Sequence, residues 1–163
     1  MSVSLLDVQG NSISVERVIK APAAAIFALL ADAGRHAAFD GSGTVGHAPA
    51  GESQPLSAGT KFGMAMRGRP ESLFLPYRTT NTVVEFEPDR RIAWKTTMGP
   101  LGLIGGRIWR YELEPTSDGT LVRETWDVSE DRQRLVLKMG ATPKQAEGGM
   151  RATLGRIAAL VEP

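Results

Sequence analysis

The first part of the chain alternates apolar and polar side chains and then changes period. Residues 13–19 follow a period of two with β-branched side chains, which predicts a strand. Pro22 ends this strand, because proline is well suited to the first turn of a helix. An apolar stripe at 26–30 then follows at helical spacing. Residues 35–39 leave room for a second short helix, and the Asp-Gly-Ser-Gly sequence at 40–43 predicts a turn.

The middle of the chain returns to the period of two and interrupts it with turns. Strands are predicted at 44–47, 60–66, 77–87, 91–97, 108–114 and 121–128. Because short turns connect several of these stretches, we expect consecutive strands to pair in an antiparallel sheet. The glycine-rich, apolar stretch 98–106 is predicted to be a loop. A lid over a cavity, a loop packed on the core and a contact with another protein are its three interpretations.

The end of the chain changes to helical spacing. Residues 132–139 predict a short helix, and Thr142-Pro143-Lys144-Gln145 has the sequence of a capping box. The apolar stripe of the helix that follows consists of Met150, Leu154, Ile157 and Val161. A sheet with one apolar face needs a cover, so we expect this long helix to lie across the sheet. A chain of this length predicts a single domain over residues 1–163.

Composition narrows the classes of function. The 163 residues include 19 Lys and Arg and 18 Asp and Glu, a formal net charge of +1, which gives no reason to expect a nucleic acid or an anionic membrane as partner. The chain has no cysteine, which excludes disulfides, thiolate nucleophiles and cysteine metal ligands. Because neither an 18-residue apolar run nor a signal peptide is found, the expectation is a cytoplasmic protein without a membrane span.

Five segments of the chain together resemble the START-like (SRPBCC) superfamily, and within it the group of polyketide cyclase/dehydrase and lipid-transport proteins. The segments are VERVIKAPAAAIFALLAD, RHAAFDGSG, VVEFEPDRRIAW, the hairpin WRYELEP…DGTLVRETWD, and MRATLGRIAALVE. The resemblance implies an α+β helix-grip fold. In that fold a curved antiparallel sheet of about seven strands wraps on a long C-terminal helix, and two short helices follow strand 1. It also implies a hydrophobic cavity between sheet and helix; members bind lipids, sterols, polyketides, hormones or aromatics, and only some are enzymes.

Alternation along each strand identifies the side chains that would face such a cavity. They are mostly aromatic, methionine and aliphatic, and all three tryptophans of the chain are among them. The ligand-binding candidates are Phe62, Met64, Met66, Val84, Phe86, Trp94, Trp109, Tyr111, Glu124, Trp126, Met150 and Leu154. The same residues could instead form an ordinary packed core, and a register slip of one residue would reverse the faces of a strand.

Glu124 is the most informative of these candidates, because an inward carboxylate is costly unless it is paired or protonated. Its candidate partners are Arg17 and Arg107. One interpretation makes Glu124, together with Tyr111, a catalytic acid or base that moves a proton in a cyclisation or dehydration. The alternatives are a structural ion pair, or a register slip that turns the carboxylate outward.

A second set of candidate polar residues includes both histidines of the chain. His36 and Asp40 are four residues apart on a predicted helix and share a face, and His47 is near in sequence. A metal or acid–base site is conceivable there, but the chain has only two histidines and no H-E-x-x-H pattern. The favoured interpretation is a surface histidine beside a turn-forming aspartate. We therefore expect no metal and no cofactor.

These patterns favour a protein that binds a small hydrophobic ligand. An enzyme of the cyclase, aromatase or dehydratase type is the first alternative, with Glu124 and Tyr111 as candidate catalytic residues. A protein-interaction module with an exposed apolar patch is the second. The outer face of the last helix carries small residues that would permit a homodimer, although a solvated face is the favoured interpretation. These residues are Ala152, Gly155 and Ala159.

Overall fold

The computed structural model describes residues 10–45, 52–68 and 75–163. Strands and helices follow one another in the order that the sequence predicts. They are β1 (Ser12–Ile19), α1 (Ala23–Leu30), α2 (His36–Phe39), β2 (Lys61–Met66), β3 (Tyr77–Glu87), β4 (Arg91–Met98), β5 (Ile104–Thr116), β6 (Gly119–Asp127), α3 (Arg134–Leu137) and α4 (Thr142–Val161). Short 3₁₀ turns at Ala33–Arg35 and Pro100–Gly102 precede α2 and β5.

The strands form one antiparallel sheet in the order β1-β6-β5-β4-β3-β2. This sheet, the long α4 and the short helices after β1 confirm the α+β helix-grip fold. The described residues contribute six strands rather than about seven. Of the strand predicted at 44–47, Val45 makes a single bridge to Met66, and His47 lies outside the described residues.

Cross-strand register places the predicted inward residues side by side. Trp94 pairs with Trp109, which pairs in turn with Trp126. In the next row Tyr111 lies between Ile92 and Glu124, and Glu124 lies opposite Val15 of β1. Side chains in such rows share one face of the sheet. This face is the inner one, because most of these side chains belong to the buried core.

The inner face of β3 differs from the prediction. Val84 was expected to face inward with Phe86, but it is 46% exposed. A β-bulge between Val83 and Glu85 inserts one residue into the pairing with β4, so Val83 is buried in its place. Phe86 does face inward, and its ring meets that of Phe27 edge-on at 5.4 Å.

α4 covers the inner face with the stripe that helical spacing predicts. Met150, Leu154 and Ile157 are buried, and Val161 is partly buried against the same core. The predicted capping box is wrong, because the residue before the helix is Ala141 and no side chain caps the helix. α3 is also shorter than the predicted 132–139.

The turn at 40–43 attaches the short helices to α4. The Gly41 N–H donates to Thr153 Oγ1 of α4 at 2.9 Å, and a Cβ on Gly41 would overlap the backbone of α4. Asp40 accepts hydrogen bonds from the backbone N–H groups of Ser42 and Val45, both at 3.1 Å, which confirms it as a turn-forming residue. Only glycine permits this close approach of the turn to the helix.

Candidate functional site

A contiguous row of rings crosses the inner face beneath α2. The indole of Trp94 stacks on the imidazole of His36, with ring centroids 4.7 Å apart and planes 24° apart. The Trp94 ring also lies 5.5 Å from the ring of Tyr111, with the two planes 33° apart. Phe62 meets both His36 and Trp94 edge-on, at 5.4 and 5.9 Å. We call these four rings and Glu124 the interior row.

Glu124 ends the interior row as an inward, buried carboxyl, with 2% of its surface exposed. The hydroxyl of Tyr111 donates to Glu124 Oε1 at 2.8 Å, whereas the buried Oε2 has no hydrogen-bond partner. Burial raises the pKa of Glu124 to about 8; the negative charge of Asp40 adds to this rise and the Tyr111 hydrogen bond opposes it. At neutral pH the carboxyl therefore carries a proton for most of the time.

The arginines expected to pair with Glu124 are engaged elsewhere. Arg107 Nε lies 3.2 Å from Asp131 Oδ2, in a pair whose carboxylate is fully buried. The Arg17 guanidinium lies beside α4, where a Cβ on Gly155 would be 3.7 Å from its Nη1. No ion pair joins Glu124 to an arginine in the part of the chain that the structure describes. The structural ion pair and the outward carboxylate are therefore both wrong.

Tyr111 stays protonated at ordinary pH values and can donate its hydrogen bond to Glu124 throughout. Its pKa is raised well above its usual value by burial first, and then by the adjacent Glu124. The tyrosine hydroxyl consequently remains neutral and keeps its hydrogen to donate.

His36 is buried, so the interpretation as a surface histidine is wrong. Only 3% of its surface is exposed, and its Nε2 lies 2.8 Å from the carbonyl oxygen of Leu30. Because a carbonyl can only accept, Nε2 carries the hydrogen and Nδ1 has a free lone pair. Nδ1 is buried without a partner, and burial lowers the pKa of His36 to about 4. The imidazole is therefore neutral at pH 7. His36 and Phe39 are three residues apart on α2 and therefore share a face of the helix, so the apolar Phe39 already indicated that His36 points inward.

The remaining cavity candidates lie on or near the same face. Trp126 is buried, Met64 and Trp109 are partly buried against the core, and Met66 is half-buried. That these residues line a ligand cavity stays a prediction.

β3 also buries a polar residue that is not among the predicted site residues. Asn81 is 1% exposed, and its Oδ1 accepts from Thr96 Oγ1 at 2.7 Å. Thr79, two residues before it, is also buried. Asn81 has the same parity as Val83, so the signal was present in the sequence. Assigning Val84 to the inner face concealed it.

The glycine-rich loop after β4 is shorter than predicted and exposed. β5 begins at Ile104, and Leu101 is 95% exposed. The interpretation as a loop packed on the core is therefore wrong, whereas the lid and the protein contact stay predictions. Residues 73–75 are an apolar stretch that could pack against such a lid, and only Leu75 of them belongs to the described residues.

The described residues contain no cluster of three His, Asp or Glu side chains that could hold a metal ion. In the same part of the chain, no helix has both the length and the apolar character that crossing a membrane requires. A groove of about 310 Å³ lies at the hairpin end of the sheet, away from the interior row. Its lining consists of Glu87, Arg90, Arg91, Glu112, Leu113, Glu114, Leu121 and Arg123.

Comparison with solved structures supports the fold. The structure of protein NE0264 from Nitrosomonas europaea matches with a TM-score of 0.68 and 16% identity, over 95% of this chain and 96% of that one. Protein CV1439 from Chromobacterium violaceum matches with a TM-score of 0.66 and 21% identity, over 94% and 98% of the two chains. An AHSA1-like protein from Aeromonas hydrophila matches with a TM-score of 0.64 and 21% identity, over 93% and 92%.

Sequence comparison shows the family. The uncharacterized protein Rv0088 of Mycobacterium tuberculosis is 36% identical over 132 residues, which are 78% of this chain and 52% of the relative. The chain thus spans about half the length of the curated relatives that it matches. The family model described as polyketide cyclase / dehydrase and lipid transport matches residues 11–162. The chain therefore belongs to the polyketide cyclase/dehydrase and lipid-transport family, within the START-like superfamily that its sequence resembles.

Proposed function

We propose that this protein binds a small, largely apolar molecule with one polar group, held between the sheet and α4 along the interior row. The observation that carries the proposal is the carboxyl of Glu124, buried and hydrogen-bonded through one oxygen only. A buried polar atom without a partner costs about 1–3 kcal/mol. A ligand that supplies the partner would recover this cost.

The hydrogen bonds indicate which polar group fits. Since Glu124 Oε1 accepts from Tyr111, the proton of the neutral carboxyl resides on Oε2, which then donates. A carbonyl oxygen is the matching acceptor. The free Nδ1 of His36 is an acceptor, and it would suit a hydroxyl on the same molecule. Trp94 packs on His36 and on Tyr111, so it provides an aromatic environment between the two polar groups.

An enzyme that moves a proton is the second candidate, favoured by one specific observation. A pKa of about 8 lets Glu124 both give and take a proton near neutral pH. With Tyr111 as a fixed donor, such a carboxyl would suit the cyclisation or dehydration that the family description names. Binding and catalysis would then use the same residues.

The test begins with native mass spectrometry of the protein purified from its own host, followed by denaturing release of any bound molecule. We expect a discrete mass of a few hundred daltons. Titration with prodan, a naphthalene fluorophore that carries a ketone, then probes the interior row directly. Wild-type protein should bind prodan saturably, and Glu124→Leu should weaken binding about tenfold or more through the lost donor.

The matched control is Glu112→Leu, because Glu112 neighbours Tyr111 in the chain but belongs to the ion pairs of the outer face. It should leave prodan binding unchanged. Glu124→Gln retains a donor and should bind within about threefold of wild type. If the released molecule is converted by wild type but not by Glu124→Gln, the enzyme is supported over the carrier. If nothing co-purifies and prodan does not bind saturably, the proposal is wrong.

A further inference from the structure

The β4–β5 connection and α3 lie side by side at one end of the sheet, and both expose large apolar side chains. The Gly105 N–H donates to the side chain of Gln133 at 2.8 Å, and the Arg132 N–H donates to the Gly105 carbonyl at 3.1 Å. These bonds hold the two segments together. The large aliphatic side chains that they expose are Leu101, Leu103, Ile104, Leu135, Val136 and Met139. We call this set the apolar rim.

The exposed position of Leu101 requires an unfavourable backbone conformation. Leu101 has a φ of 55°, in the left-handed region that a leucine rarely adopts, and its side chain projects fully into solvent. Exposed aliphatic groups in one contiguous patch are typical of an interaction surface, whereas isolated ones need no explanation.

The charge around the apolar rim is strongly positive. Residues 132–146 contain Arg132, Arg134, Lys138 and Lys144 and no Asp or Glu. Within the described residues none of these four forms an ion pair, and the acids just before them are already neutralised. Glu130 pairs with Lys95, and Asp131 pairs with Arg107.

We propose that the apolar rim and its four basic neighbours form a docking surface for an anionic lipid bilayer. Aliphatic side chains enter the boundary between headgroups and acyl chains, while the surrounding cations meet the acidic headgroups. A second copy of this chain is the poorer occupant, because a symmetric contact would bring the same unneutralised cations face to face. The proposal extends beyond ligand binding in the interior and does not depend on it.

Flotation of the whole protein with vesicles tests the proposal. One set consists of equal parts of phosphatidylglycerol and phosphatidylcholine, and the other of phosphatidylcholine alone. We expect wild-type protein to float with the anionic vesicles and to be released by salt. Replacing Arg132 and Arg134 together with glutamine should weaken binding about fivefold per charge, or roughly 25-fold in all. Leu101→Ser combined with Leu103→Ser should weaken it about tenfold.

The matched controls lie away from the apolar rim. Val84→Ser alters an exposed aliphatic residue on the outer face, and Arg90→Gln removes an exposed arginine at the opposite end of the sheet. Both should bind anionic vesicles within about twofold of wild type. Thermal melting of each variant verifies that it is folded, since all the altered side chains are exposed or partly so.

Three results would overturn the proposal. The first is equal binding to anionic and neutral vesicles, or to neither. The second is a rim variant that folds and floats like wild type. The third is a concentration-dependent dimer, seen by analytical ultracentrifugation, that Leu101→Ser with Leu103→Ser converts to monomer, because the rim would then be covered by a second copy.

Discussion

The two faces of the sheet differ in how their charged and polar groups are paired and buried. On the outer face, charged side chains of different strands pair with one another and remain partly exposed. The pairs include Arg110–Glu85, Arg123–Glu16 and Arg91–Glu112. On the inner side, Glu124 of β6 and His36 of α2 are buried, and each has one polar atom without a partner. Arg91 Nε on the outer face also lacks a hydrogen bond, but it lies 3.7 Å from the carboxylate of Glu85. Exposed ion pairs contribute little to stability, whereas unpartnered buried groups reduce it. The inner face therefore has the polar groups that stability alone does not explain.

The largest expected contrast between the faces is in packing. Ile92 is fully buried on the inner face, so Ile92→Ala should lower the free energy of unfolding by about 2–5 kcal/mol through lost burial and an added cavity. Val84→Ala on the outer face should change it by less than about 1 kcal/mol. Urea denaturation followed by circular dichroism measures both. Equal losses would mean that both faces are packed, and would remove the distinction.

A smaller and more specific contrast between the faces concerns how the free energy of unfolding depends on pH. The usual pKa of a glutamate is 4.5 and that of folded Glu124 is about 8, so between these values the folded protein holds a proton that the unfolded chain has released. The free energy of unfolding therefore falls as pH rises through this window. His36 acts oppositely, because its folded pKa of about 4 lies below its usual 6.5, but most of its contribution has already been made by pH 6.5. We expect a net loss of about 1 kcal/mol between pH 6.5 and 8.

Glu124→Gln isolates this effect, because glutamine does not titrate and can still accept from Tyr111. Its stability should be flat between pH 6.5 and 8, and should rise from pH 4 to 6.5 through His36 alone. Urea denaturation at several pH values provides the measurement. A wild-type protein whose stability is unchanged between pH 6.5 and 8 would show that Glu124 is ionised in the folded state.

Much of the inner face could be predicted from sequence because its periodicity is uninterrupted. Trp94, Tyr111 and Glu124 follow strict alternation on their strands, and Met150 and Leu154 follow the helical period on α4. Local spacing determines on which face such residues lie. The resemblance to a known superfamily then supplied the arrangement of sheet and helix.

The failures have specific physical causes. Val83 is buried where the alternation predicts Val84, because a β-bulge inserts one extra residue into β3. Strict alternation assigns every second residue to the same face, so it cannot reveal such an insertion. The partner of Glu124 is Tyr111 on the neighbouring strand, not the expected arginines, because that choice depends on the register between strands. His36 is buried by Phe62 and Trp94, which are remote in sequence.

The apolar rim was missed for a different reason. A net charge of +1 is a sum over the whole chain, and it conceals the basic segment at 132–146. The outer face pairs Glu85, Glu87 and Glu112 with its own arginines, whereas the segment 132–146 contains no acidic residue, so the acids and bases of the chain are not evenly distributed. Net charge is therefore a poor guide to surface charge in this protein.

The smallest expected effect concerns the best ion pair of the outer face. Arg110 Nη2 lies 2.7 Å from Glu85 Oε1, and both side chains are about one-quarter exposed. A double-mutant cycle with Arg110→Ala and Glu85→Ala should give a coupling energy of about 0.5–1 kcal/mol that decreases in high salt, because solvent and ions screen the pair. The value comes from urea denaturation of wild type, both single variants and the double variant. A coupling above about 2 kcal/mol would instead make the outer face a major source of stability. The contrast between the faces would then be one of mechanism, ion pairing outside and apolar packing inside, and no longer one of magnitude.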